Sequence, residues 1–140
     1  MDHRSSVKRY YDEVWCKGNL AVIDELMAPE YENCDPATPG GTLKGPQAFR
    51  GLVTTYREAM PDLRLDIVEQ HADSEADVVV SRWMASATQR GALMGIPPTG
   101  KRVTHIEGVT ITQFRGGKIV RDRVVWDLAG LLRALGALPG

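Results

Sequence analysis

Residues 103–126, VTHIEGVTITQFRGGKIVRDRVVW, carry the clearest structural signal in this sequence. Two segments rich in β-branched residues, 103–114 and 119–126, are separated by the pair Gly116-Gly117. β-Branched residues favour strands, and a glycine pair between two strands favours a tight hairpin turn. The stretch therefore predicts two adjacent antiparallel strands in the second half of the chain.

The residues that precede this hairpin change their periodicity at Pro61. After Pro61, apolar residues alternate with polar ones at 63–67, and 78–88 is a further strand candidate. Before it, apolar residues recur at helical spacing in 7–15, 20–27 and 46–60, and a last helix is predicted over 128–135. Helices followed by strands predict an α+β fold. We expect a cone-shaped α+β barrel, in which a strongly curved, mixed or antiparallel sheet wraps around the N-terminal helices and leaves a cavity.

Length and composition exclude several classes of protein. A chain of 140 residues is expected to form one domain, 1–140. No apolar run reaches the roughly 18 residues that a membrane span needs, and the first residues lack an apolar signal core, so a cytoplasmic protein is expected. Seventeen basic and 18 acidic residues are interspersed, which gives nucleic acid no general electrostatic attraction.

Motifs for metals, nucleotides and nucleophilic catalysis are absent from the sequence. Cys16 and Cys34 have no metal-ligand spacing and are expected to be free thiols, and the three histidines are scattered. There is no glycine-rich phosphate loop, GxSxG or HExxH sequence. We therefore expect neither a metal nor a cofactor, and side chains alone would carry out any chemistry.

An ordered set of short motifs resembles the SnoaL-like polyketide cyclase family, within the nuclear transport factor 2-like superfamily. The matching segments are 7–19, Tyr31 to Pro36, Gly45-Pro46, Pro61-Asp62-Leu63, Arg82-Trp83, 95–101 (GIPPTGK), Gly117-Lys118-Ile119 and 126–136. The resemblance implies the cone-shaped fold and a cofactor-independent reaction. In the archetypal members, an aspartate acts as acid and base while a ring of an aromatic polyketide closes by intramolecular aldol addition.

This sequence departs from the archetypal pattern at four polar positions. The resemblance places Val124 where the catalytic aspartate is expected, and Thr110 where a pocket histidine is expected. Gln89 and Cys34 replace two further histidines of the family. Three hypotheses therefore stay open: a cyclase-type enzyme with a relocated acid/base, a non-catalytic small-molecule binding or accessory protein, and a hydroxylase or epoxide hydrolase. The last would draw on Asp122, Asp127 and either Arg82 or Arg123.

Three residues are candidates for catalysis. Asp127 follows Trp126 and begins the last helix, either as its N-cap or as a carboxylate at the cavity rim. Asp122 alternates with Val124 on a strand, so it is either a replacement base or a solvated charge at the strand end. His105 lies two residues from Glu107 and forms either a proton-handling pair or a surface contact.

A second group of residues is expected to bind the substrate. Trp83 and Arg82 point to opposite faces of one strand, so only one of them can face the cavity, and Trp83 is expected to form its wall. Gln89 could donate a hydrogen bond to a carbonyl group. The aromatic residues Tyr10, Trp15 and Trp126 are expected to line the cavity or to pack in the core.

The expected partner is an apolar small molecule. The family resemblance and the Val and Ile residues on the outer face of an open sheet also predict a homodimer or a higher oligomer built from dimers. The loop 92–96 (ALMGI) is apolar for a loop, and it is expected either to cover the cavity or to lie in the contact between subunits.

Overall fold

A computed structural model describes residues 2–139. Within these residues, four α-helices and six strands follow one another. The helices are α1 (His3–Tyr10), α2 (Ala21–Leu26), α3 (Pro46–Ala59) and α4 (Leu128–Ala134), and the strands are β1 (Met27–Cys34), β2 (Thr42–Lys44), β3 (Arg64–Asp73), β4 (Val78–Thr88), β5 (Arg102–Arg115) and β6 (Lys118–Trp126).

The six strands form one mixed sheet in the order β2-β1-β6-β5-β4-β3. All neighbouring strands are antiparallel except β1 and β6, which run parallel and pair Asn33 with Asp122. Register shifts interrupt four of the five pairings, and such bulges bend strands. The sheet is therefore curved around the N-terminal helices but stays open. The predicted α+β fold with a curved mixed sheet is confirmed.

Helix α1 continues directly into a π-helical turn at Tyr11–Trp15. The backbone N–H of Cys16 donates to the carbonyl of Tyr11, five residues earlier, at 3.1 Å. Tyr10 and Tyr11, at the junction, are both buried. Short π-helical segments often occur at functional sites, and this one presents two adjacent tyrosines to the interior.

Buried apolar side chains from the helices and from the inner face of the sheet form one cluster. Phe49 on α3 lies at its centre, with the rings of Tyr10, Trp15 and Tyr31 in edge-to-face contact at centroid distances of 5.4–5.9 Å. Edge-to-face pairs add to the free energy gained by burying the rings. This aromatic cluster fixes the helices on the concave side of the sheet.

Gly108 on β5 makes room for the side chain of Trp83 on β4. The two residues are paired across the sheet, and a Cβ atom at position 108 would lie 2.2 Å from an indole carbon. Because no real Cβ contact is that short, only glycine lets the indole lie against the neighbouring strand.

Within residues 2–139, no helix is both long enough and apolar enough to span a membrane.

Candidate functional site

A cavity of about 710 Å³, including its open mouth, lies between the helices and the concave face of the sheet. Most of its surface is apolar, and all three tryptophans of the chain contribute to it. The lining includes Trp15, Trp83, Trp126, Leu52, Met60, Leu63, Leu65, Val103, Ile106, Val124 and Leu131. A few polar groups interrupt this lining, and this combination is typical of small-molecule sites.

A fully buried carboxyl group, that of Asp122, lies behind one end of the cavity. It is 0% exposed and does not itself line the cavity. Its Oδ2 atom accepts hydrogen bonds from the hydroxyls of Tyr10 (2.9 Å) and Tyr31 (2.7 Å). Its Oδ1 atom accepts one from the hydroxyl of Thr112 at 2.6 Å. Three strands (β1, β5 and β6) and helix α1 thus meet at one carboxyl group.

Burial raises the pKa of Asp122, and it outweighs the three hydrogen bonds, which favour the ionised form. The pKa values of Tyr10 and Tyr31 are also raised, first by burial and then by the nearby Asp122 charge. Both tyrosines therefore keep their protons and act as hydrogen-bond donors. We call Asp122, Tyr10, Tyr31 and Thr112 the carboxyl network.

Asn33 joins this network to the cavity. It is 2% exposed, it lines the cavity, and its Nδ2 atom donates to the Tyr31 hydroxyl at 3.1 Å. Its Oδ1 atom has no hydrogen-bond partner. Among residues 2–139, this is the one buried side-chain nitrogen or oxygen atom left unpaired. Buried polar atoms are nearly always paired, so this oxygen needs a physical explanation.

Thr110 and Tyr11 form a second polar pair in the lining. Their hydroxyl oxygens are 2.5 Å apart, and Thr110 Oγ1 also accepts from Trp83 Nε1 at 2.9 Å. The two hydroxyls carry two protons, and their mutual hydrogen bond uses only one. Burial, followed by the Asp122 charge, raises the pKa of Tyr11, which keeps its proton. The pair therefore has one hydroxyl proton to spare for an acceptor in the cavity.

Asp35 places a second carboxyl group directly on the cavity wall, at the end of β1. It is 8% exposed. Its Oδ1 atom accepts from Trp126 Nε1 at 2.9 Å and from the backbone N–H of Ala37 at 2.8 Å, and neither bond uses Oδ2. Tyr56 also lines the cavity, and its pKa is raised mainly by burial and secondarily by the Asp35 charge. A fixed carboxylate thus lies beside a protonated phenol.

The sequence model described as SnoaL-like polyketide cyclase matches residues 5–135. The chain belongs to this family. The predicted resemblance is therefore confirmed across nearly the whole chain.

Two solved structures and one curated protein show how far the similarity to SnoaL-like cyclases extends. The chain is 28% identical over 125 residues to the aklanonic acid methyl ester cyclase DnrD of Streptomyces peucetius, covering 89% of this chain and 84% of that protein. TsrD from Streptomyces laurentii is 25% identical, with a TM-score of 0.84 and 99% of both chains covered. A SnoaL-like structure from Jannaschia sp. CCS1 has a TM-score of 0.86 at 24% identity, covering 97% and 92%. The similarity to the Jannaschia structure concerns the fold alone.

The structure places four of the residues predicted to bind substrate in the lining of this SnoaL-like cavity: Tyr10, Trp15, Trp83 and Trp126. Val124 and Thr110, which occupy the positions of the expected aspartate and histidine, also line it. The position where the resemblance expects the acid/base thus faces the cavity here, but it carries an alkyl side chain.

Arg82 and Gln89 lie outside the lining. Arg82 is on the opposite face of β4, where it forms ion pairs with Glu69 (2.6 Å) and Glu107 (2.7 Å). Gln89 is fully buried, and its amide binds the loop 91–100 instead of the cavity. Adjacent residues on a strand face opposite sides, so Trp83 lines the cavity and Arg82 points away from it.

Two of the residues predicted to be catalytic, Asp127 and His105, are also outside the lining. Asp127 is exposed and caps α4, since its carboxylate accepts from the backbone N–H of Gly130 at 2.8 Å. His105 is exposed at an irregular position of β5, where its φ angle is +58°. Its Glu107 neighbour binds Arg82 on the outer face. The third, Asp122, is buried behind the lining.

Asp35 and Asn33 were not among the predicted site residues. Strand alternation places Tyr31, Asn33 and Asp35 on one face, and the motif Tyr31 to Pro36 contains all three, so the signal was present in the sequence. Their orientation towards the cavity was not evident. Within residues 2–139, no cluster of three or more His, Cys, Asp or Glu side chains could hold a metal ion.

Proposed function

We propose that the protein is a cofactor-independent cyclase that closes a ring in a polyketide-like carbonyl compound by intramolecular aldol addition. Membership of the SnoaL-like family and the similarity to an aklanonic acid methyl ester cyclase support this assignment. The observation that carries it is Asp35, a carboxylate fixed on the wall of an apolar cavity. In this proposal, Asp35 replaces the acid/base that Val124 cannot provide.

Asp35 removes a proton from the carbon next to a substrate carbonyl. Trp126 and the backbone N–H of Ala37 hold Oδ1, which leaves Oδ2 to contact the substrate. Fixing a base in one orientation lowers the entropic barrier, and an apolar lining limits competition from water. The resulting enolate carbon attacks a second carbonyl of the same molecule.

The spare proton of the Tyr11–Thr110 pair stabilises the oxygen that becomes negatively charged. One C–H bond and the π bond of the attacked carbonyl are broken, and one C–C bond and one O–H bond are formed. The proton taken by Asp35 balances the proton gained by the new hydroxyl, so the reaction is neither an oxidation nor a reduction. No cofactor is needed for this chemistry, and electrostatic stabilisation of the developing oxyanion is typically a large part of such catalysis.

The test is turnover of an aromatic polyketide β-keto ester, followed by chromatography, with wild type and the Asp35→Asn variant. Loss of a general base typically lowers the rate about 10²- to 10⁴-fold, so we expect kcat/KM to fall by at least about 100-fold. The matched control is Asp127→Asn, which removes an exposed carboxylate but keeps a good N-cap, and it should retain activity. Full activity of Asp35→Asn would contradict the proposed role.

A second candidate is a non-catalytic protein that binds the same class of compound. The observation that favours it is Val124, an alkyl side chain in the cavity where the resemblance expects an aspartate. Binding of the β-keto ester without ring closure by wild type would support this candidate. The hydroxylase or epoxide hydrolase hypothesis has less support, because Asp122 is buried behind the lining while Asp127 and Arg123 are exposed.

We also propose that the protein acts in the cytoplasm, within secondary metabolism, as a homodimer. The family and its named cyclase relatives support the metabolic role. The exposed apolar residues Ile111 and Val125 on the outer face of the sheet support self-association.

A further inference from the structure

We propose that Asn33 recognises a hydroxyl group of the ligand, which donates a hydrogen bond to Oδ1 at the buried end of the cavity. The ligand is then a phenol or an enol, held with its hydroxyl next to β1. This inference deepens the proposed function and rests on it in one respect, namely that the cavity takes an aromatic polyketide-like compound.

The unpaired Oδ1 atom of Asn33 is the first observation. It is buried and belongs to a residue that lines the cavity, so the partner it lacks can come from the space that a ligand fills. Leaving a buried acceptor unpaired destabilises the folded chain. The hydrogen bond to Tyr31 uses only the amide N–H of Asn33, so it does not explain why a carbonyl oxygen is buried there without a donor.

The carboxyl network fixes which end of the Asn33 amide faces the cavity. Tyr31 has one proton, and it donates that proton to Asp122 Oδ2. Its oxygen can therefore only accept from Asn33, which places Nδ2 beside Tyr31 and leaves Oδ1 unpaired on a residue that lines the cavity. With Asp122 protonated on Oδ1, the same arrangement is kept, because Oδ1 donates to Thr112 while Tyr10 and Tyr31 still donate to Oδ2.

The nearby Tyr11–Thr110 pair indicates the rest of the ligand. It offers one proton, whereas Asn33 offers one acceptor, so this part of the lining matches a ligand with both a hydroxyl donor and a carbonyl or hydroxyl acceptor. The groups around it, Tyr10, Tyr11 and Thr110, are neutral. A neutral hydroxyl suits this part of the lining better than a cation, which would find no counter-charge among these neighbouring groups.

The experiment compares 2-naphthol with 2-methoxynaphthalene by calorimetric titration of the whole protein. Both probes share one ring system, and both can accept from Tyr11 or Thr110, but only the naphthol can donate to Asn33. One neutral hydrogen bond corresponds to about a 3- to 10-fold change in affinity, so wild type should prefer 2-naphthol by that factor. Asn33→Leu should remove the preference.

Two further variants separate recognition from general damage. Val124→Ala removes apolar contact area without touching the amide, so it should weaken both probes and keep their ratio. Tyr31→Phe retains Asn33 but removes the hydroxyl that orients it, so the preference for 2-naphthol should shrink while binding of 2-methoxynaphthalene persists. Tyr31→Phe also keeps the test decisive if Asn33→Leu does not fold.

Each outcome has a defined meaning. Equal binding of the two probes by wild type, or a preference that survives in both Asn33→Leu and Tyr31→Phe, would overturn the recognition by Asn33 and leave the proposed cyclase intact. Failure of both probes to bind wild type would overturn this inference together with the proposal that the cavity takes aromatic compounds.

Discussion

Asp122 is the residue whose role differs most between the sequence and the structure. It lies on the same face of β6 as Val124, as predicted, but the hydroxyls of Tyr10, Tyr31 and Thr112 satisfy it completely in the interior. The carboxyl group does not line the cavity, and it holds the hydroxyl of Tyr31, which in turn accepts from Asn33. We therefore expect Asp122 to position Tyr31 and, through it, Asn33.

The raised pKa of Asp122 predicts how stability depends on pH. The folded protein holds this proton at pH values where an unfolded aspartate, with a pKa of about 3.9, has already lost it. Its contribution is therefore complete below about pH 4 and is lost as the pH rises through the raised folded value. The slope cannot exceed about 1.4 kcal/mol per pH unit for one proton.

Asp122→Asn should remove this pH dependence from the free energy of unfolding, measured with urea between pH 4 and 8. The amide fits the same place, because its oxygen can accept from both tyrosines while its N–H donates to the Thr112 hydroxyl. Asp122→Leu should instead cost roughly 3 kcal/mol or more, since three buried hydroxyls lose their acceptor. An unchanged pH profile in Asp122→Asn would contradict the assignment of the titration.

Among the connections between elements, the loop 91–100 between β4 and β5 makes four hydrogen bonds with a single side chain. The amide of Gln89 donates to the carbonyls of Gly91 and Ile96, and its oxygen accepts from the backbone N–H and the hydroxyl of Thr99. Four hydrogen bonds thus close the loop on itself. Gln89 stands where the resemblance predicts a histidine, and its hydrogen bonds go to the loop.

Gln89→Leu should destabilise the protein by about 2–4 kcal/mol, because it leaves several loop groups without partners. It should also expose residues 91–100 to limited proteolysis. Thr99→Val removes fewer bonds and should cost about 1 kcal/mol, whereas Thr99→Ser should be nearly neutral. Chemical denaturation and mass spectrometry of the fragments measure both effects. If Gln89→Leu resisted proteolysis as well as wild type does, the loop would have to be held by other contacts.

At the scale of the whole molecule, the outer face of the sheet carries exposed apolar side chains on β5 and β6. Val125 is 71% exposed and pairs with Val109, and Ile111 lies one position further along that face of β5. Their chain neighbours Val124 and Thr110 line the cavity, so these residues point to the opposite side. A second copy of the chain could cover them.

We expect a dimer in size-exclusion chromatography with light scattering. Val125→Lys should shift the mass towards the monomer, because a buried unpaired charge opposes association. Met94→Lys, in the exposed apolar loop, is the contrasting variant and should remain dimeric if the sheet face forms the contact. A monomeric wild type would refute the dimer, and monomers only in Met94→Lys would move the contact to the loop.

Local sequence patterns were sufficient for most of the fold. Alternation and turn residues predicted β4, β5 and β6 to within one residue at each end, and Pro46 correctly began α3. The second predicted helix, 20–27, ends at Leu26, and the chain continues directly into β1, which contains Pro29. The pairing of β1 with β6 is interrupted between Met27 and Glu32, so a residue without an N–H is tolerated there. Strand β2, with three residues, was too short to predict.

The amino-acid sequence alone determined most of the elements, the family and the aromatic character of the cavity, because these depend on periodicity and on short local motifs. Only the tertiary structure decided which carboxyl groups face the cavity. The parallel pairing of β1 with β6 brings Asn33 beside Asp122, 89 positions away, and the tyrosines of α1 and β1 then enclose Asp122. Asp35 reaches the wall because Trp126 binds it across the fold. Such long-range contacts leave no periodic trace in the sequence, since they arise only when distant strands pack together.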